Sequence, residues 1–306
     1  VDTETDSVFG LLCINKPLGL TSRDVVNRVV WRLREASPKP AKIPKVGHAG
    51  TLDPLATGVL LIGVGAGVRL VPYLHQQPKE YLATFRLGQS SQSGDLESPT
   101  IAEENPYQPS RAEVDAAAME LIGDITQVPP AHSAIKVGGK KAYKFAHQGK
   151  SVEVPSRVVR IDQITILNYA YPDVTATIRC GTGTYIRTLG IDLAAKCHTT
   201  AVMTSLVRTA IGDYSVESAI AIERLGDSSI EELTLPLTGA VSHLPTLRLP
   251  DNEIDLISNG IKIAVGQSDE ASGDEAAVID SQGNLRAIVH RRDHKWNPYR
   301  VFPRPS

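Results

Sequence analysis

The chain has 306 residues, a net charge of −2 and a 42% hydrophobic share, room for one large domain or a large and a small one, and too apolar for wholesale disorder. No apolar run approaches the roughly 18–20 residues needed to span a bilayer, and the acidic opening VDTETDSVFG lacks the basic and apolar regions of a signal peptide, so a short disordered tail over 1–7 and a soluble, cytoplasmic protein without membrane contact are expected. Cys13, Cys180 and Cys197 lie far apart with no CxxC pair, which excludes a disulfide framework and fits a reducing compartment.

VFGLLCIN, residues 8–15, is a compact apolar run ending at Lys16-Pro17 and reads as a buried strand. TSRDVVNRVVWRLRE follows, with Val25, Val26, Val29, Val30 and Leu33 at helical spacing and Thr21 or Ser22 as N-cap. ASPKPAKIPK is proline-rich and basic, hence a loop, and it delivers the chain to GHAGTLDPLATGVL at 47–60. Asp53-Pro54 after Gly-Thr is good turn material, because aspartate bonds its own backbone and proline presets φ. On these fourteen residues alone, a turn is the better reading than chemistry.

A strand is expected at 59–64. GVGAG at 63–67 lacks the strand-GxGxxG-helix context of a dinucleotide loop and reads as the strand's end. YLATFRLG alternates as a half-buried strand, and SRAEVDAAAMELIG is a helix with Ser110 and Glu113 in capping-box register. Residues 126–155 have few periodic apolar positions, glycines at 138, 139 and 149 and many lysines. They read as a long insertion, which is uncommon unless functional.

Strands at 157–167 and 174–180 precede GTGTYIRTLGIDLAAKC, a glycine turn feeding a helix with Ile186, Leu189 and Leu193 inward. The strand SLVRTAIG and a helix near 216–225 close a first unit spanning 8–240. From 241 to 306, TLRLP, a short helix at 251–258 and two strands around the turn SQGN suggest a compact β-rich unit. Strands and helices mix without βαβ regularity, so the fold class is α+β with a mostly antiparallel sheet.

The near-neutral net charge hides segregation. From His132 to Arg160 stand Lys136, Lys140, Lys141, Lys144, Lys150, Arg157 and Arg160 against Glu153, and the tail adds Arg286, Arg291, Arg292, Lys295, Arg300 and Arg304 against Asp293. Charge runs are commonly solvated faces. Two basic segments interleaved with Tyr143, Phe145, Trp296 and Tyr299 are also what a polyanion-binding surface needs.

Chemistry at Asp53 narrows by elimination. Glycoside hydrolysis wants a second carboxylate, and no other acid sits in a comparable glycine-flanked loop. A Ser-His-Asp triad on a nucleophile elbow would show G-x-S-x-G, which is missing. Cys197-His198 would diverge by about 100° on a helix and has no second pair, so a metal site is not expected. What remains is a lone aspartate, an arginine to hold its charge and an aromatic to position a ring. Arg187, entered through GTGTY, is the candidate arginine, with a structural ion pair as the plain alternative.

At this point the chain resembles the TruB-type tRNA pseudouridine synthases. GHAGTLDPLATGVL is similar to the family's catalytic motif, INKPLGLTS to its N-terminal NKPxGxTS segment and KEYLATFRLG to its tyrosine strand. VPPAHSAIKVGGKKAYKFAHQGKSVE resembles its basic RNA-gripping insertion, CGTGTYIRTLGIDL its arginine motif and SLVRTAIGDY the motif beneath the pocket. The resemblance spans residue 9 to about 214 in the family's order. It implies a pseudouridine synthase-like catalytic domain, isomerisation of uridine at position 55 in the T arm of tRNA, and no metal or organic cofactor; since no heptad or long apolar edge demands a partner, a monomer without an obligate protein partner is expected. It implies Asp53, Tyr81 and Arg187 as catalytic residues, with Tyr81 stacked on the ring. His48, Tyr185, Leu206, Lys16, Lys136 and Lys140 are implied as substrate-binding, and 241–306 as a small PUA-like RNA-binding domain.

There are departures. The family's TDTxDxxG is here SSQSGDLES, with Gln92 where aspartate is usual and Ser98 in place of glycine, so this loop is expected to offer an amide and its arginine partner to be re-paired. Val207-Arg208 stands for an arginine pair, and His132 for an aromatic or aliphatic residue before Ser133. An RNA-binding folding helper with lost or incidental isomerase activity is the alternative function.

Overall fold

The computed structural model describes residues 9–36, 43–130, 155–264 and 273–304, and the backbone of 136–137 and 140–141. The expected tail at 1–7 and most of the 126–155 insertion lie outside the described residues.

The alternation of apolar residues builds one large sheet. Its long path runs β14 (Ile220–Ala221), β1 (Gly10–Lys16), β3 (Ala56–Val64), β12 (Ala201–Ile211), β4 (Lys79–Leu87), β11 (Asp173–Cys180), β10 (Arg157–Ala170) and β7 (Gly123–Gln127). Two short strands attach to it: β2 (Val46–His48) pairs with β3, and β13 (Tyr214–Ser215) with β12. Among the described residues of this sheet only β1–β14 and β3–β12 pair in parallel. The expected α+β, mostly antiparallel class is what the chain forms.

On β4 the residues alternate as the sequence indicates, with Tyr81, Ala83, Phe85 and Leu87 buried on one face. That face packs against α1 (Ser22–Ala36), α3 (Arg111–Glu120) and α4 (Ile186–Lys196); α2 (Val71–Gln76) lies in the other core. α1 starts at Thr21: its hydroxyl accepts from the Asp24 N–H at 3.1 Å and Asp24 accepts from the Thr21 N–H at 2.9 Å. α3 carries the Ser110–Glu113 capping box. α4 approaches β4 so closely that a Cβ on Gly190 would stand 2.3 Å from the Phe85 ring.

One expectation fails. No helix spans 216–225: Ile220 and Ala221 extend the sheet edge by pairing with Ile14 and Asn15, and only Arg224–Asp227 turns helical. The edge of β1 offers this segment backbone partners, and Ile220 packs against the core, which decides for strand over helix.

The C-terminal unit is a five-stranded sheet in the order β15 (Thr246–Arg248), β17 (Glu275–Ile279), β18 (Leu285–Arg292), β19 (Lys295–Val301) and β16 (Ile263–Ala264), with α5 (Asp251–Ser258) packed on it. A hydrophobic cluster joins the units: Leu70, Tyr73 and Leu74 pack with Ala277, Leu285, Ile288 and Phe302. Among the described residues no helix is long and apolar enough to cross a membrane.

Candidate active site

The loop between β2 and β3 carries Asp53, and three neighbouring elements hold it. The Ser22 hydroxyl, at the first turn of α1, accepts from the Leu52 N–H at 2.8 Å and donates to the Leu52 carbonyl at 3.1 Å. The Gly19 N–H donates to the Pro54 carbonyl at 2.9 Å, and the Ala56 N–H to the Asp53 carbonyl at 3.0 Å. Arg208 of β12 reaches back to the Val59, Gly50 and Thr51 carbonyls at 2.7, 3.2 and 3.5 Å. It gets this close because Gly58, its register partner, has φ +99° and a Cβ there would fall 2.2 Å from the Arg208 carbonyl oxygen. The turn is real, and it presents Asp53 outward.

Arg187, in the first turn of α4, is buried and bridges two carboxylates. One guanidinium nitrogen lies 3.0 Å from Asp53, the other 3.3 Å from Asp95 and 2.8 Å from the Ser93 carbonyl that it bonds. Asp95 is fully buried and accepts from the Ser93 hydroxyl and, at 3.0 Å, from the Glu97 N–H. This corrects the expectation for the SSQSGDLES loop. Gln92 is exposed, and the loop delivers its carboxylate to Arg187 from Asp95, so the arginine is not left to an amide. The acid was visible in the sequence; what hid it was comparison at position 92 alone.

A cavity of about 310 Å³ opens beside this pair, lined by Asp53, Tyr81, Tyr185, Arg187 and Leu206 of the expected set. Sequence reasoning missed His75, Lys79 and Arg208 as lining residues, and cited Arg157 only for its charge. Lys79 is buried with its ammonium on the His75 and Gln77 carbonyls at 2.5 and 2.7 Å. Arg157 and Arg208 direct hydrogen bonds to backbone carbonyl oxygens, and Arg208 also meets the Tyr81 hydroxyl. Neither guanidinium has an ion-pair partner among the described residues, so their side of the cavity is positive and favours an anionic ligand.

The remaining expected residues lie elsewhere. Lys16 is fully buried with its ammonium on the Pro17 and Leu20 carbonyls at 2.9 and 2.6 Å, so it braces the loop beside Asp53 and presents no charge to solvent. Two of its three N–H donors are thus spent within the chain, and Lys16 does not line the cavity that holds Asp53. His48 is half-buried on β2, close to Arg208 and His75, with Nδ1 enclosed and unpartnered among the described residues. Lys136 and Lys140 lie on the short paired strands β8 (Lys136–Val137) and β9 (Lys140–Lys141); their side chains lie outside the described residues.

The electrostatics suit a reactive carboxylate. Burial raises the Asp53 carboxyl above the ordinary range, Arg187 opposes that shift, and Asp95 adds to it. Burial lowers the Lys16 ammonium to about 8, against the attraction of Asp53. Burial likewise pushes the Tyr81 phenol up, while Arg208, hydrogen-bonded to it, works the other way. Burial, then Arg208 and His75, hold the His48 imidazole below its usual value. Among the described residues no group of three or more His, Cys, Asp or Glu side chains is placed to hold a metal ion. A half-exposed carboxylate, fixed by a buried arginine and sharing its cavity with two tyrosines, can attack or stabilise an electrophilic carbon of a ligand that enters.

Comparison with known proteins adds a lineage. The sequence model of the TruB family pseudouridylate synthase N-terminal domain matches residues 39–186. The tRNA pseudouridine synthase B of Rhodopirellula baltica is 36% identical, over 97% of this chain and 95% of that protein. The protein of the same name from Dehalococcoides mccartyi strain BAV1 is 37% identical, over 97% of both. Among solved structures, a chain of a Cbf5-Nop10-Gar1 complex superposes with a TM-score of 0.73 over 98% of this chain and 86% of that one, at 23% identity, a likeness of fold.

Proposed function

The chain belongs to the TruB family of pseudouridylate synthases, and from that premise we propose that it isomerises uridine to pseudouridine in the T arm of tRNA, at position 55, with Asp53 as the reacting carboxylate. The reaction is internally balanced. The C1′–N1 bond breaks, the uracil turns while held, C5 bonds to C1′, and the C5 proton leaves as N1 gains one. No metal or organic cofactor is required by that balance.

The observation that carries the site assignment is the ion pair of Asp53 with buried Arg187 at 3.0 Å, in a cavity that also holds Tyr81. Arg187 keeps Asp53 ionised against burial and fixes its rotamer. Tyr81 stacks on the uracil and helps remove the C5 proton, a reading supported by its place in the same cavity as Asp53. Tyr185 and Leu206 are the pocket walls. The target nucleotide leaves its stack to enter, at a cost of a few kcal/mol, and the positive cavity wall offsets part of this by drawing in the phosphate backbone. The lysine-rich insertion with Lys136 and Lys140, and the C-terminal unit, extend the RNA contact. A single chain working in the cytoplasm, without an obligate protein partner, completes the proposal.

Asp53→Asn is expected to abolish pseudouridine formation in unmodified tRNA while RNA binding stays near wild type. Mapping pseudouridine in the product checks both activity and site. Full activity in the variant would falsify the role of Asp53, and a wild-type protein that binds tRNA but makes no product would favour the folding-helper reading.

A further inference from the structure

Tyr185 stands where the 181–184 loop turns into α4, two residues before Arg187. Its backbone is extended, with φ −99° and ψ 110°, and its side chain makes no capping hydrogen bond to the helix. What holds it comes from the sheet. Gln127, the last residue of β7 and 1% exposed, accepts from the Tyr185 N–H at 3.0 Å and donates to the Tyr185 carbonyl at 3.4 Å. Arg157, the first residue of β10, lays its guanidinium 4.7 Å over the Tyr185 ring and donates to the Gly183 carbonyl. Gln127 and Arg157 face each other in the β7–β10 ladder. One rung therefore fixes the peptide of Tyr185 with an amide and its ring with a planar cation.

We propose that Gln127 and Arg157 are positioning residues for the isomerisation, setting Tyr185 as the wall of the uridine pocket and, with it, the start of α4 that carries Arg187. The proposal rests on the pseudouridine synthase reading of the site. Arg157 lines the cavity but pairs with no carboxylate among the described residues, so a direct phosphate contact is the competing role, and the two roles make different demands on the side chain. Stacking on a ring and reaching the Gly183 carbonyl need the flat guanidinium. Attracting a phosphate needs only the charge, which lysine keeps. The lysine-rich segment of the chain begins and ends at this same rung.

The test uses full-length protein and unmodified tRNA, measuring the single-turnover rate at saturating RNA, the RNA Kd and thermal melting. Arg157→Lys and Arg157→Leu should both slow the single turnover by about 10-fold or more, as misplacement in a reactive site does, with little change in Kd. Arg157 is only partly buried, so both variants are expected to fold. Gln127→Leu should slow the same step at a temperature where its melting curve shows it folded. A wild-type rate in Arg157→Lys, or a loss confined to a salt-dependent Kd, would overturn the positioning role and make Arg157 a phosphate ligand. A wild-type rate in folded Gln127→Leu would remove Gln127 from the proposal. A wild-type protein that forms no pseudouridine refutes the enzyme reading itself, an outcome separate from variants that match an active wild type.

Discussion

Arg187 sits between two carboxylates of unequal exposure, and that inequality decides what each does. Asp95 is fully enclosed while Asp53 keeps 37% of its side-chain surface, turned to the cavity. Asp95 thus holds the guanidinium from behind and leaves Asp53 free to meet a ligand. Because burial and Asp95 raise the Asp53 pKa, Asp53 gains its proton at a higher pH than an ordinary carboxylate. The acid limb of the single-turnover rate is therefore expected above the ordinary carboxylate range, with activity lost as pH falls through it. Asp95→Asn removes a negative neighbour, so the limb should move to lower pH even as the plateau drops by roughly 10-fold from a looser Arg187. A pH–rate profile checks both, and an unmoved limb would count against Asp53 as the titrating group. At this scale Asp53, Tyr81 and Arg187 were legible as motif residues. Asp95 was legible only as one acid in a polar loop, since nothing local says which arginine it meets.

Elements are where local rules and packing part company. Thr21, Ser110 and the alternation on β4 behave as their sequence signals say, because caps and strand faces are decided within a few residues. Ser22 does not: it is one position past the cap, yet its hydroxyl closes both polar groups of Leu52 in the loop that carries Asp53. Gly190 shows the same conflict. By propensity, Gly→Ala inside a helix stabilises by about 1 kcal/mol. Here the added methyl would meet the buried Phe85 ring at 2.3 Å, so Gly190→Ala is expected to destabilise by about 1–3 kcal/mol through overpacking. Urea unfolding measures the sign directly, and a more stable variant would show that α4 can lift from β4 without cost. The 216–225 segment was misread for a related reason, since an available strand edge cannot be seen in the segment that fills it.

At the scale of the molecule, the C-terminal sheet is joined to the first unit by more than a linker. The Tyr73 hydroxyl donates to Glu275, His290 lies 2.9 Å from the same carboxylate, and Arg69 donates to the Val301 carbonyl at 2.7 Å. Beneath them the shared cluster of Leu70, Tyr73, Leu74, Leu285, Ile288 and Phe302 is buried from both sides. Exposing that surface to unfold one unit alone would forfeit about 25 cal/mol for each Å² of apolar area uncovered. Calorimetry is therefore expected to show one cooperative transition; two well-separated transitions would show that the shared cluster is too weak to couple the units. The sequence marked a compositional change near 241, but composition carries no record of which surfaces the two parts bury against each other.

By itself the sequence determined the family, the α+β class and the capped helices, because motif order, periodicity and capping are written in neighbouring positions. The tertiary structure decided which charges meet: that Asp95 backs Arg187, that Lys16 serves the interior, and that one rung of β7 and β10 holds Tyr185. These contacts join residues tens of positions apart, and their energies depend on burial and distance. Both are properties of the folded chain, to which no local pattern gives access.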